Sequence, residues 1–270
     1  MREPDRHTGS PVGTAVAYWP VMICLLGAFR VLKQGHPVHL RSGSKFQSLL
    51  VTLSTRRGYC APREALLEAL WPRSAESFSR QSLNTLVHSL HKRLGDALDG
   101  ATPVVHADGY YRLNVEAGVR VDVGCFDSLV SAGEREARLG NTVAAAGVYS
   151  EARDLYRGDL CVGGDPYAVV ERERVRTAYL TLLASLADSY YIEGRYDACL
   201  RATLELLAAD PCREDGHRIA MRCHVRRGER AQALRQFQLC RAILRTEFDA
   251  EPEPATIALF DQVRLAPDSI

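Results

Sequence analysis

The segment from Ser77 to Leu94 presents two opposite faces at helical spacing. Apolar residues recur every three or four positions, which predicts an amphipathic helix with one buried stripe. The stripe consists of Leu83, Leu86, Val87, Leu90 and Leu94. The opposite face carries amide, hydroxyl, imidazole and ammonium groups at Gln81, Thr85, His88, Ser89 and Lys92.

The neighbours of this helix place it in a recognisable order of elements. A shorter helix should precede it, with Pro62 at its first helical position and Trp71-Pro72 closing it. Residues 104–113 read as two short strands joined by Asp108-Gly109, a dipeptide that accepts the positive φ of a tight hairpin. The sequence therefore predicts two helices joined by a turn, followed by a hairpin in the position of a wing.

The polar face of the 77–94 helix suits hydrogen bonding to base edges and phosphates in a major groove. We interpret it as a recognition helix, although a merely solvated surface helix can show the same face. Glutamine and asparagine can pair bidentately with adenine, and a threonine methyl can contact a thymine methyl. The candidate base-reading residues are Gln81, Asn84, Thr85, His88, Ser89 and Lys92.

Basic and wing residues around this helix are candidates for contacts that add affinity but little sequence information. For the arginines near the helices, ordinary surface charge is the alternative. The candidate phosphate or wing residues are Lys45, Arg63, Arg80, Arg93, His106 and Arg112.

The net charge of +1 hides an asymmetry between the two halves of the chain. Residues 1–120 contain 15 lysines and arginines against 9 aspartates and glutamates, whereas the remainder contains 19 against 24. We therefore expect only the first half to meet an anionic polymer.

The eight cysteines are spread along the chain without a Cys-x-x-Cys pair, which favours reduced thiols. Cys212, His217, Cys223 and His224 lie close in sequence but match no standard zinc spacing. The chain also contains no Gly-x-Ser-x-Gly, His-Glu-x-x-His or phosphate-loop motif. We expect no metal, no cofactor and no enzymatic activity.

The most apolar segment, Ala15 to Phe29, is interrupted by Pro20 and is shorter than the roughly 20 residues of a bilayer span. Mixed charges at the start and scattered free cysteines argue against export. We expect no membrane association and a cytoplasmic protein that joins the nucleoid when bound to DNA. Residues 1–18 should be a disordered extension, followed by a buried strand.

Beyond Val123 the pattern changes to helices separated by glycine or proline breaks. The segment Gly194–Leu200 is echoed by Gly228–Leu234, and the spacing of 34 residues is the period of tetratricopeptide repeats. A weaker third member starts at Gly140. Stacked helical hairpins of this kind leave a concave surface suited to a partner.

These patterns together predict the fold class and the domains. An α+β winged helix-turn-helix domain should occupy residues 19–117. An all-α tetratricopeptide-like helical repeat domain should occupy residues 121–266.

The order of these parts resembles the short bacterial activators that join an OmpR-like winged helix to a bacterial transcriptional activation domain, among them the Streptomyces antibiotic regulatory proteins. The matching motifs are Leu25–Val31, Glu64–Pro72, Arg80–Leu94, Asp108–Leu113, Asp122, Phe126, Tyr156–Leu160 and Glu251–Pro254. The resemblance implies a DNA-binding transcriptional activator that binds promoter repeats, with RNA polymerase as its protein partner. Larger relatives append an ATPase module, which we do not expect here because this sequence contains no phosphate-loop motif.

A single winged helix covers few base pairs, so we expect two copies on repeated half-sites of double-stranded DNA about one helical turn apart. The alternative is a tetratricopeptide-type interaction scaffold whose winged helix does not bind DNA. A repressor would use the same DNA-reading chemistry, and only the resemblance favours activation.

Overall fold

The computed structural model describes residues 19–40, 44–72, 76–161 and 166–270, and describes residues 76–79 and 166–167 by their backbone alone. The expected disordered extension, residues 1–18, lies outside the described residues. The chain divides into two compact units. The first contains the described residues of Met1–Cys125 and Arg157–Arg172, and the second contains Phe126–Tyr156 and Glu173–Ile270.

The first unit begins with a four-stranded sheet in the order β3-β2-β1-β7. Strand β1 (Val21–Cys24) is buried throughout, as its unbroken apolar run predicts. It pairs antiparallel with β2 (Arg30–Lys33), which pairs with β3 (His36–Pro37) across a turn at Gln34-Gly35. Strand β7 (Val119–Val121) lies parallel to β1 on its other side, a pairing for which the sequence carries no local signal.

Three helices follow this sheet, and their leucines form one part of the core of the first unit. They are α1 (Lys45–Ser54), α2 (Arg63–Leu70) and α3 (Glu76–Leu94). The predicted leucine stripe of α3 is buried, together with the leucines of α1 and α2 that it faces. The sequence predicted Pro62 as the first residue of α2, and this prediction is wrong. Pro62 is the extended residue before the helix, with φ −67° and ψ 151°.

The predicted hairpin is confirmed as β5 (Val104–Ala107) and β6 (Tyr110–Leu113). Asp108 and Gly109 have φ values of 50° and 80°, as a tight primed turn requires. A third strand, β4 (Cys60–Pro62), pairs antiparallel with β6 and was missed because only three residues, ending in proline, form it. The wing is thus part of a three-stranded sheet that connects α2 to the hairpin.

Asp122, the first residue of α4 (Asp122–Arg138), forms hydrogen bonds with the backbone just after β1 in the first unit. Its side chain is buried, and its carboxylate accepts hydrogen bonds from the N–H groups of Leu25, Leu26 and Val123, each at 2.9 Å. Burial raises the pKa of Asp122, and the three N–H donors oppose that shift.

The second unit is helical. Besides most of α4, it contains α5 (Thr142–Leu155), most of α6 (Pro166–Ile192), α7 (Tyr196–Ala209), α8 (Glu214–Arg226), α9 (Arg230–Phe248) and α10 (Pro254–Leu265). Near its end, Phe237 of α9 stacks on Phe260 of α10, with ring centroids 4.1 Å apart. No helix in the described ranges is both long and apolar enough to cross a membrane.

The predicted repeat is visible as one capping turn used three times. Gly140, Gly194 and Gly228 each have positive φ, and the next helix begins two residues after each of them. In every case the N–H after the glycine donates to the carbonyl five residues earlier, which closes the preceding helix. The pairs are Asn141 to Glu136, Arg195 to Tyr190 and Glu229 to His224, at 2.8–2.9 Å. The second unit therefore has the tetratricopeptide-like organisation that the sequence predicted.

Candidate nucleic-acid interface

Helix α3 exposes the polar face that its sequence predicts. Leu83, Leu90 and Leu94 are fully buried beneath it. Ser89 is half-buried. The exposed members of the face are Gln81, Asn84, Thr85, His88 and Lys92. These side chains recur at helical spacing along one stripe, and such a stripe is the kind of helix surface that enters a major groove in helix-turn-helix proteins.

From Arg80 onward, the charge along α3 is of one sign. From Arg80 to Leu94 the helix contains three arginine or lysine residues and no acidic residue. The next acid along the chain, Asp96, pairs with Lys33 at 2.5 Å, and this hydrogen bond lowers its pKa. The stripe therefore offers hydrogen-bonding groups in a positive field, which attracts a polyanion.

Four side chains from separate segments meet where the wing approaches α3. The Arg63 guanidinium (Nη2), at the start of α2, lies 2.8 Å from His106 Nε2 on β5. The His106 ring lies 4.3 Å from the ring of Tyr111 on β6. The Tyr111 hydroxyl donates to Asn84 Oδ1 on α3 at 3.2 Å. We call these four residues the wing cluster.

The wing cluster unites three residues that the sequence marked individually, Arg63, His106 and Asn84, and adds Tyr111, which it missed. Side chains alternate between the two faces of a strand, and this alternation along β6 could have identified Tyr111 as an inward residue. In the structure Tyr111 is 2 % exposed and its neighbour Tyr110 is 52 % exposed. Nothing in the sequence indicates that its hydroxyl reaches Asn84, 27 positions earlier.

Lys45 lies at the other edge of α3 and caps a helix. Its ammonium donates to the carbonyl of Leu70, the last residue of α2, and lies 5.7 Å from the centre of the Trp71 ring. An ammonium has three donors, so this contact leaves capacity for a phosphate. A depression of about 480 Å³ opens beside it, lined by Lys45, Trp71, Gln81, Ser82, Thr85, Leu86 and Ser89.

The remaining predicted residues lie around the stripe. The Arg93 guanidinium lies 5.5 Å from the centre of the Phe46 ring, which holds the arginine beside the C-terminal end of α3. Arg80 is exposed near the start of the helix, and Arg112 is exposed on β6. The Thr85 hydroxyl donates to the carbonyl of Gln81 at 3.0 Å, so its own donor is already used within the helix.

His217 and Cys223, two of the residues that lie close in sequence near position 217, have other partners. The buried His217 ring has Nε2 at 2.9 Å from the Pro211 carbonyl and Nδ1 at 2.7 Å from Gln236 Nε2, and burial lowers its pKa. Cys223 Sγ lies 3.0 Å from Cys199 Sγ. Across the part of the chain that the structure describes, no group of three or more histidine, cysteine, aspartate or glutamate side chains could hold a metal ion.

Comparisons with known proteins agree with this architecture. The family model of the bacterial transcriptional activator domain matches residues 121–264. The chain is 29% identical over 232 residues to the regulatory protein AfsR of Streptomyces coelicolor, an alignment that covers 85% of this chain and 23% of AfsR. It is 27% identical over 210 residues to the regulatory protein DnrI of Streptomyces peucetius, covering 74% of this chain and 76% of DnrI.

Two mycobacterial proteins are similar over a larger share of the chain. The transcriptional regulatory protein MoaR1 of Mycobacterium tuberculosis is 23% identical over 263 residues, covering 96% of this chain and 84% of MoaR1. The solved structure of Mycobacterium tuberculosis EmbR, in complex with a low affinity phosphopeptide, superposes with a TM-score of 0.76 at 23% identity and covers 91% of this chain. The chain spans about a quarter of the length of AfsR and about two thirds of that of EmbR.

Proposed function

Because the chain belongs to the family of proteins with a bacterial transcriptional activator domain, we propose that it is a sequence-specific DNA-binding transcriptional activator. The observation that carries the proposal is the exposed stripe of α3, which is polar, free of acidic residues and bordered by a wing. The relatives named above are regulatory proteins, and our proposal assigns no catalytic role to this chain. As a regulator of this kind, the protein acts on the chromosome in the cytoplasm.

The proposed roles divide between the two domains. Residues 19–117 form the DNA-binding domain, and residues 121–266 form the activation domain, whose stacked helices bind RNA polymerase. Hydrogen bonds to base edges give specificity, whereas contacts to phosphates position the protein. Base edges are read by Gln81, Asn84, Thr85, His88, Ser89 and Lys92. Phosphates or the minor groove are contacted by Lys45, Arg63, Arg80, Arg93, His106 and Arg112.

The wing cluster suggests that residues near the wing contact the DNA backbone while α3 contacts the bases. Arg63 and His106 use one hydrogen bond to each other, but a guanidinium has five N–H donors, so Arg63 retains donors for a phosphate. Arg112 lies on the same hairpin with its side chain exposed. We therefore assign Arg63 and Arg112 to the sugar-phosphate backbone and α3 to the bases.

The proposal is tested by selecting bound sequences from a random duplex pool with the full-length chain at two salt concentrations. A DNA reader recovers a motif, and its affinity falls steeply with salt because phosphate contacts release counterions. Recovery of no motif would contradict the proposal and leave the interaction scaffold as the function.

The arrangement of two copies has its own test. We propose that two molecules occupy repeated half-sites about one helical turn apart, since one recognition helix covers few base pairs. Footprinting on the selected sequence should show two protected half-sites. Protection of one isolated half-site at saturating protein would refute this arrangement.

A further inference from the structure

The contact between Tyr111 and Asn84 constrains which chemical group Asn84 presents. The Tyr111 side chain is buried, and its ring is held against His106. Its hydroxyl reaches Asn84 Oδ1 at 3.2 Å. Asn84 itself is exposed on the stripe of α3. The amide oxygen of the exposed Asn84 side chain thus accepts a hydrogen bond from a buried residue.

The direction of this hydrogen bond fixes the orientation of the amide. A phenolic O–H is a donor, and the described residues give it one acceptor, Asn84 Oδ1. If the Asn84 amide turned by half a revolution, its NH₂ group would face the O–H, and a partly buried donor would lose its hydrogen bond. The contact therefore holds Oδ1 toward the wing and leaves the NH₂ group for an external partner.

The two orientations of an asparagine amide favour different bases. An amide that offers both its oxygen and its NH₂ group pairs bidentately with adenine N6 and N7. An amide that offers only N–H donors is matched by guanine, whose N7 and O6 are neighbouring acceptors in the major groove. Adenine instead places its N6 amino group opposite the amide's own N–H, where two donors meet.

We propose that Tyr111 is a positioning residue that sets the base preference of Asn84, so that Asn84 selects guanine over adenine. This inference rests on the proposed function. It replaces the adenine pairing expected of an unconstrained asparagine, and it assigns a specificity role to a side chain that touches no base.

The experiment repeats the sequence selection with four variants of the full-length chain. Asn84→Ala locates the position in the half-site that Asn84 reads, because preference there is lost. In the wild type, guanine should exceed adenine at that position by about 5- to 150-fold, the range of one good base contact. Tyr111→Phe keeps the ring but removes the hydroxyl, so the amide can turn, and adenine should become at least as frequent as guanine.

The other two variants separate positioning from general effects on folding. Tyr110→Phe removes the hydroxyl of the exposed neighbour on the same strand and should leave the guanine preference intact. Asn84→Asp still accepts the Tyr111 hydroxyl but presents only acceptor oxygens, so the preference should move from guanine to cytosine, whose N4 donates.

The outcomes distinguish this inference from the function on which it rests. A wild-type motif with adenine at the Asn84 position, or an unchanged guanine preference in Tyr111→Phe, would overturn the inference while leaving DNA reading established. A wild-type selection without any motif would overturn both. Thermal unfolding of each variant identifies any that is misfolded. If Tyr111→Phe fails to fold, the choice between guanine and adenine at the Asn84 position of the wild type decides the inference, because an unconstrained amide would select adenine.

Discussion

Replacing Asp122 with alanine should destabilise the first unit, because one carboxylate accepts hydrogen bonds from three backbone N–H groups. The side chain is 4 % exposed and accepts hydrogen bonds from Leu25, Leu26 and Val123. Each buried N–H left without an acceptor costs about 1–3 kcal/mol. Burial raises the pKa of Asp122, which means that the buried carboxylate is itself unfavourable. Removing it therefore offsets part of the loss from the unpaired N–H groups. We expect a net loss of about 2–4 kcal/mol in the free energy of unfolding.

The assay is urea unfolding followed by tryptophan fluorescence. Both tryptophans of the chain, Trp19 and Trp71, belong to the first unit, so their signal reports its unfolding separately from the second unit. The control is Asp127→Ala, farther along the same helix but in the second unit, which removes a half-exposed ion pair with Arg174 that contributes under about 1 kcal/mol and should leave this first-unit signal unchanged. Equal unfolding midpoints for Asp122→Ala and Asp127→Ala would refute the reasoning.

Two further predictions concern the second unit. Gly133→Ala should lower the free energy of unfolding by about 1–3 kcal/mol, because the new Cβ would lie 2.5 Å from the Cε1 of the buried Tyr149 ring. Gly147→Ala lies on α5, where no atom is within 4 Å of the new Cβ, and should instead raise the free energy of unfolding by about 0.5–1 kcal/mol. Thermal unfolding followed by circular dichroism should show a lower midpoint for Gly133→Ala and a higher midpoint for Gly147→Ala. The hydrogen bond from Arg213 lowers the pKa of Asp215, so its stabilisation is present above about pH 4 and is lost on acidification. Asp215→Asn should therefore show a smaller loss of stability between neutral and acidic pH than the wild type, and identical pH profiles would contradict this linkage.

Features encoded by neighbouring residues could be predicted from the sequence. The leucine stripe of α3 follows from spacing, and the hairpin at Asp108-Gly109 follows from residues that accept positive φ. The capping turns at Gly194 and Gly228 likewise need only local signals. Strands β4 and β7 could not be predicted, because each has three residues and is stabilised by pairing with a strand far away in the chain.

The same division holds for the candidate site. Residue types and helical periodicity were enough to predict the exposed stripe with Gln81 and Lys92. They did not show that the Lys45 ammonium caps α2, or that Tyr111 holds Asn84. Such contacts depend on which segments the fold brings together, and a single sequence carries no local signal for that.

The most direct test of DNA reading by α3 is the affinity of a double variant for the selected duplex. Gln81→Ala with Lys92→Ala removes two groups from the stripe. Gln232→Ala with Arg235→Ala removes the same kinds of groups from the exposed surface of α9 in the second unit. Fluorescence anisotropy at constant salt should show binding weakened by at least about 30-fold in the first variant and by less than about 3-fold in the second, whose arginine is not part of the proposed interface. Wild-type affinity in the first variant would contradict the claim that α3 reads DNA.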